Sequence, residues 1–188
     1  MRLSRRSNVD PFIVMDVMEA AAQAEAAGRH IIHMEVGQPG TAAPAKARAA
    51  LAQAMEEGAL GYTVALGLPA LRSRIARLYG ERHGLDLHPS RVIVTSGSSA
   101  GFLLAFTALF DVGDRVALGA PGYPSYRQIL SALSLEPVDI QTRVEDRYQP
   151  VVSDLPDDIA GLIVASPANP SGTMLDKGAL TALIDGCR

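Results

Sequence analysis

From residue 91 onward the chain alternates short β-branched runs with amphipathic stretches, and that alternation limits the folds open to it. Arg91 to Thr95, Arg115 to Gly119, Leu135 to Ile140 and Gly161 to Ala165 read as strands. Ser98 to Phe110, Ser125 to Leu133 and Asp176 to Cys187 read as helices. Strands that are apolar on both faces and separated by helices imply a mostly parallel sheet covered by helices, a three-layer αβα architecture in the α/β class. Ligands of such sheets lie outside the carboxyl ends of the strands. The loops after Val94, Leu118 and Val164 are therefore the informative ones. The last predicted helix leads to an expected further strand that is not there, so the sequence reads as cut rather than completed.

The first half is mainly helical. Pro11 to Ala27 reads as a helix closed by Gly28, and His30 to Val36 as a strand broken at Gly37-Gln38-Pro39-Gly40. Pro44 to Glu57 and Pro69 to His83 read as helices, the second ended by Gly84, with a loop from Tyr62 to Gly67 between them. The formal net charge of -3 argues against a nucleic-acid binder, which needs a concentrated basic face. No apolar run approaches the ~18 residues of a membrane span. The lone Cys187 has no internal disulfide partner, which points to a reducing cytoplasm, and no signal peptide is recognised. His83 and His88 flank a loop without metal-ligand spacing, so no metal is expected. His30 and His33 alternate along the predicted strand and read as structural.

Three loops carry chemistry. Thr95-Ser96-Gly97-Ser98-Ser99-Ala100-Gly101 joins a strand to a helix, where free backbone N–H groups and the helix dipole favour an anion such as phosphate. It also reads as an ordinary turn with a serine N-cap. It is neither a P-loop nor a GxGxxG fingerprint. Ala120-Pro121-Gly122-Tyr123-Pro124-Ser125-Tyr126 offers an aromatic ring on a proline-stiffened loop, or simply a Pro-Gly turn with its tyrosine on the core. Ser166-Pro167-Ala168-Asn169-Pro170-Ser171-Gly172-Thr173 offers an amide donor at the sheet rim, or a turn built from turn formers. An Asn-Pro bond is one where a cis peptide is affordable. A phosphate cradle, a ring platform and a polar donor along one edge would suit a phosphorylated aromatic ring.

Taken in order, Gly37-Gln38-Pro39, Gly61-Tyr62-Thr63 with Gly67-Leu68-Pro69-Ala70-Leu71-Arg72, Ser96-Gly97-Ser98-Ser99, Pro121-Gly122-Tyr123-Pro124-Ser125-Tyr126 and Asn169-Pro170-Ser171-Gly172-Thr173 resemble the class I/II, fold type I aminotransferases. The resemblance covers the chain from about Asp10 onward. It implies amino-group transfer between an amino acid and a 2-oxo acid with pyridoxal 5'-phosphate as carrier. Gly97, Ser98 and Ser99 then match the phosphate-holding turn, and Tyr123 matches the aromatic that stacks on the pyridine ring. Asn169 matches the donor to the ring's phenolic oxygen, with Pro170 cis. Tyr62 matches a tyrosine reaching the phosphate of a neighbouring subunit, which implies a homodimer with shared sites. Gly37 matches a glycine whose backbone meets the substrate carboxylate. The resemblance also divides the chain into residues 1–38, part of a small domain, and residues 39–188, the first half of the cofactor-binding large domain.

The same resemblance places the Schiff-base lysine, the carboxylate opposite the pyridine nitrogen and a substrate arginine on later strands. Of 17 basic side chains only Lys46 and Lys177 are lysines, and neither matches that position. The 188 residues alone are therefore expected to be inactive and poorly soluble. A β-eliminating C–S lyase on the same fold stays open as an alternative. So does an aminotransferase-like regulatory or sensor domain, although such proteins carry a DNA-binding helical module ahead of the scaffold. A non-catalytic interaction protein is disfavoured by the intact cofactor-like set.

Overall fold

Parallel strand pairing organises the second half of the chain. In the computed structural model, which describes residues 2–188, β1 (Arg115–Ala120) lies between β2 (Glu136–Gln141) and β3 (Gly161–Ile163), parallel to both. Register is fixed by burial. Val116 and Leu118 face one side, with Leu118 level with Ile163, while Ala117 and Leu162 face the other. All three β1 residues are buried.

Three helices accompany this sheet: α4 (Gly97–Leu109), α5 (Pro124–Ala132) and α6 (Lys177–Gly186). Phe102, Phe106 and Phe110 recur every fourth residue and make one stripe along α4 and its end. That stripe joins Val116, Leu118, Leu130 and Leu135 in the core, with Ile163 packed against it. On the opposite face Leu162 lines a hollow together with Leu180 and Leu183 of α6. Helices thus cover both faces, the layered α/β arrangement expected from the sequence. Pro124 opens α5, where its missing N–H has no intrahelical partner to lose. Asp176 caps α6 by accepting from the Ala179 N–H at 2.8 Å.

The chain forms two compact units, residues 2–12 with Ser96–Arg188, and Ile13–Thr95. The second unit holds α1 (Ile13–Ala26), α2 (Ala45–Glu57) and α3 (Pro69–His83). Gly84 closes α3 in the left-handed conformation, its N–H returning to the Gly80 carbonyl.

Two predicted strands are not strands. Among the described residues His30–Val36 and Arg91–Thr95 lie outside the three-stranded sheet. The first of the two is an extended segment held by a side chain. His33 bridges Glu35 at 2.7 Å and Glu25 of α1 at 3.0 Å, so it is an ion-pair residue rather than a passive strand position. In the second, Arg91 ends a short 3-10 turn, and Arg72 of α3 donates to the Val92 carbonyl at 2.8 Å and the Pro89 carbonyl at 2.9 Å. Val94 N–H adds one bond to the Leu66 carbonyl, at 3.0 Å. An apolar alternating run marks a surface that can be buried, but only a partner makes it a strand.

Candidate functional site

β1 and β3 are parallel neighbours, so the loops at their carboxyl ends emerge on the same edge. The first carries Tyr123 and the second Asn169. Both residues line one hollow, with Gly122, Tyr126, Tyr148 and Gln149 among its other walls. The hollow is shallow, with a cavity volume of about 30 Å³, and it opens to solvent.

The Tyr123 ring packs roughly perpendicular to two other aromatic rings. It meets Phe12 at 6.2 Å and 80° and Tyr126 at 5.4 Å and 82°. Tyr126 in turn meets Phe102 of α4 at 5.0 Å and 80°. Edge-to-face pairs of this kind are favoured by the ring quadrupole and hold side-chain orientation. Burial pushes the Tyr126 phenol above its ordinary value, with the Tyr123 phenol adding to the effect, so Tyr126 is a neutral packing ring at working pH. Gly122 precedes the platform and lies against β1. A Cβ there would stand 2.5 Å from the Gly119 carbonyl oxygen.

Asn169 is exposed, and its amide meets no hydrogen-bond partner among the described residues. The Asn169–Pro170 bond is cis, as the sequence suggested, and so are Ala120–Pro121 and Ser166–Pro167. The loop closes on itself. Ala168 N–H donates to the Thr173 carbonyl at 2.9 Å, Gly172 N–H to the Ala168 carbonyl at 2.7 Å, and Leu175 N–H to Ser166 Oγ at 3.0 Å.

Gly97, Ser98 and Ser99 form the first turn of α4 and are not among the residues lining the hollow. They lie at the same edge. Phe110, beyond the far end of α4, packs over Gly161 at the start of β3, whereas Phe102 meets Tyr126 beyond the end of β1. α4 therefore runs antiparallel to the strands. Its 13 residues rise about 20 Å, and the six residues of β1 about as much. The serine turn is thus level with the carboxyl ends. Both serines are exposed, and Ser96 at the N-cap makes no side-chain cap. Gly97 has φ of 81°, a conformation costly for residues with a Cβ. A helix start bearing two exposed hydroxyls offers donors that a phosphate can use.

Tyr62 and Gly37 belong to the other unit. Tyr62 is fully exposed, and Gly37 has open space where a Cβ would be. Among the described residues no cluster of three His, Cys, Asp or Glu side chains could hold a metal, and no helix is long and apolar enough to cross a membrane. The sequence did not single out Gln149 or Tyr148 as walls of the hollow. Both come from a loop without motif character, and only tertiary structure brings them in.

Known proteins share this layout. The profile of the family "Aminotransferase class I and II" matches residues 29–188, and the chain belongs to that family. A valine–pyruvate aminotransferase of Mycobacterium tuberculosis is 47% identical over 99% of this chain and 49% of its own length. A crystal structure of an aminotransferase from the same organism superposes with a TM-score of 0.93 at 46% identity, over 100% of this chain and 49% of that one. Aspartate aminotransferase of Thermus thermophilus superposes with a TM-score of 0.90 at 28% identity, over 99% of this chain and 50% of that one. The chain spans about half the length of the curated relatives it matches.

Proposed function

We propose that the protein moves an amino group between an amino acid and a 2-oxo acid with pyridoxal phosphate, and that this chain supplies the walls on which the cofactor rests. The observation that carries the reading is the convergence of Tyr123 and Asn169 on one hollow at the carboxyl edge of β1 and β3. When bound, pyridoxal phosphate supplies an electron-accepting ring for the bonds at the substrate α-carbon. Gly97, Ser98 and Ser99 anchor the phosphate through the N–H groups and hydroxyls at the start of α4. Tyr123 would hold the ring by stacking. Asn169 would donate a hydrogen bond to the phenolic oxygen and so lower the proton affinity beside it. Gly37 offers its backbone to the substrate carboxylate, and Tyr62 reaches the phosphate of the second subunit of a homodimer. Residues 1–38 serve a small domain, and residues 39–188 the large one.

The M. tuberculosis relative is named for valine and pyruvate. A branched-chain amino donor with pyruvate is therefore the first substrate pair to test. The full-length protein is expected to form alanine from pyruvate and valine, and to show the cofactor's near-visible absorbance band. Asn169→Ala raises the pH midpoint of that band. A protein that binds no pyridoxal phosphate refutes the reading. A midpoint left in place by Asn169→Ala removes that residue from its role.

A further inference from the structure

Asn169 makes no bond of its own to the rest of the described residues, so its position is inherited from the loop that carries it. One buried side chain controls that loop from outside. Gln149 is 4% exposed, one of two buried polar residues among those described. Its Nε2 donates to the Thr173 carbonyl at 3.0 Å and Thr173 Oγ1 at 3.1 Å, and reaches the Ala165 carbonyl at 3.4 Å. Ala165 lies just before Ser166 and Thr173 ends the loop, so a single amide spans both of its feet. An NH2 group has two protons for these three acceptors, so one proton is shared. The Thr173 carbonyl also receives the Ala168 N–H, and Thr173 Oγ1 lies 2.9 Å from Ser171 Oγ. The loop's internal bonds and its outside tie therefore meet at Thr173. Gln149 also lines the hollow that Asn169 faces.

We infer that Gln149 is a positioning residue for Asn169: its buried amide clamps the two feet of the Ser166–Thr173 loop and so fixes where the Asn169 amide stands. The inference rests on the cofactor reading above. Removing the donor takes one bond from the part-buried Ala165 and Thr173 carbonyls, the second of which keeps the Ala168 N–H, and the loop regains freedom to move. Asn169 then spends less time at the phenolic oxygen, although it is itself intact.

The test uses the full-length protein and Gln149→Met, which keeps length and volume but has no donor. Without cofactor, deuterium exchange in residues 168–175 is expected to speed up about two- to tenfold, the span of one net hydrogen bond. With pyridoxal phosphate bound, the absorbance midpoint is expected to move upward by about half to one pH unit, in the direction set by Asn169→Ala. The double variant moves no further than Asn169→Ala alone, because both changes remove one contact. Should Gln149→Met fail to fold, Thr173→Val removes one acceptor and moves both readouts in the same directions by less. An unmoved midpoint in Gln149→Met, beside a moved one in Asn169→Ala, overturns the positioning role and leaves the cofactor reading standing. Additive shifts overturn it as well. An unmoved midpoint in Asn169→Ala overturns the reading for Asn169 and the inference with it.

Discussion

Replacing Gly122 by alanine puts a methyl group where the backbone has left no room. The new Cβ would lie 2.5 Å from the Gly119 carbonyl oxygen. Carbon and carbonyl oxygen approach no closer than about 3.3 Å in ordinary contacts, so roughly 0.8 Å must be found. Gly119 yields little of it, because it is held in register opposite Ile140 of β2. The displacement falls on residues 121–123 and carries the Tyr123 ring with it. Overpacking that cannot relax costs about 1–3 kcal/mol. If that cost is borne by the cofactor-bound arrangement, affinity for pyridoxal phosphate drops about 5- to 150-fold, at 1.4 kcal/mol per decade. Gly119→Ala is the milder comparison: its Cβ would meet the Thr142 side chain at 3.3 Å, a tight contact in which the side chain can give, although Gly119 also lines the hollow. The assay is an equilibrium titration of cofactor-free, full-length protein with pyridoxal phosphate, followed by absorbance, with thermal unfolding in parallel. A Gly122→Ala protein that binds the cofactor as tightly as wild type and unfolds at the same midpoint would refute the close-approach argument.

Leu130 has no exposed surface and stands at the centre of the α4–α5–sheet core. Leu130→Ala is expected to cost about 2–5 kcal/mol in urea unfolding, and a loss under about 1 kcal/mol would contradict its place there. The His33 imidazole is raised to about 9, first by its hydrogen bond to Glu35 and then by that to Glu25. Its folded value lies above the ordinary one of 6.5, so the stabilisation is complete below pH 6.5 and fades as pH rises through about 9. His33→Asn should flatten the pH dependence of the melting midpoint across that window, and an NMR titration of His33 near 6.5 in the native protein would disprove the bridge.

Much of the fold was legible because its signals are local. The runs at 115–119, 135–140 and 161–165 predicted all three strands to within a residue or two, and Gly28 and Gly84 marked helix ends that the structure keeps. The runs at 30–36 and 91–95 have the same texture, yet pairing is a property of two segments, and among the described residues neither run forms a strand of the sheet. That Tyr123 and Asn169 line one hollow was readable because turn chemistry at strand ends marks a ligand edge in this fold class. Gln149, between Tyr148 and Pro150, has no such signature. Its significance comes from Ala165 and Thr173, distant in sequence and beside it in space. His33 escaped for the same reason, since Glu25 lies eight residues away and across a turn.

Phe12 gives the amino-terminal stretch a duty. Because its ring braces Tyr123, the residues ahead of α1 act as a buttress for the wall of the hollow, and Gln128 Nε2 fastens them by donating to the Asp10 carbonyl at 3.2 Å. Trimming the protein back to the first long helix would take that buttress away. Deletions in that stretch should therefore stop short of Asp10.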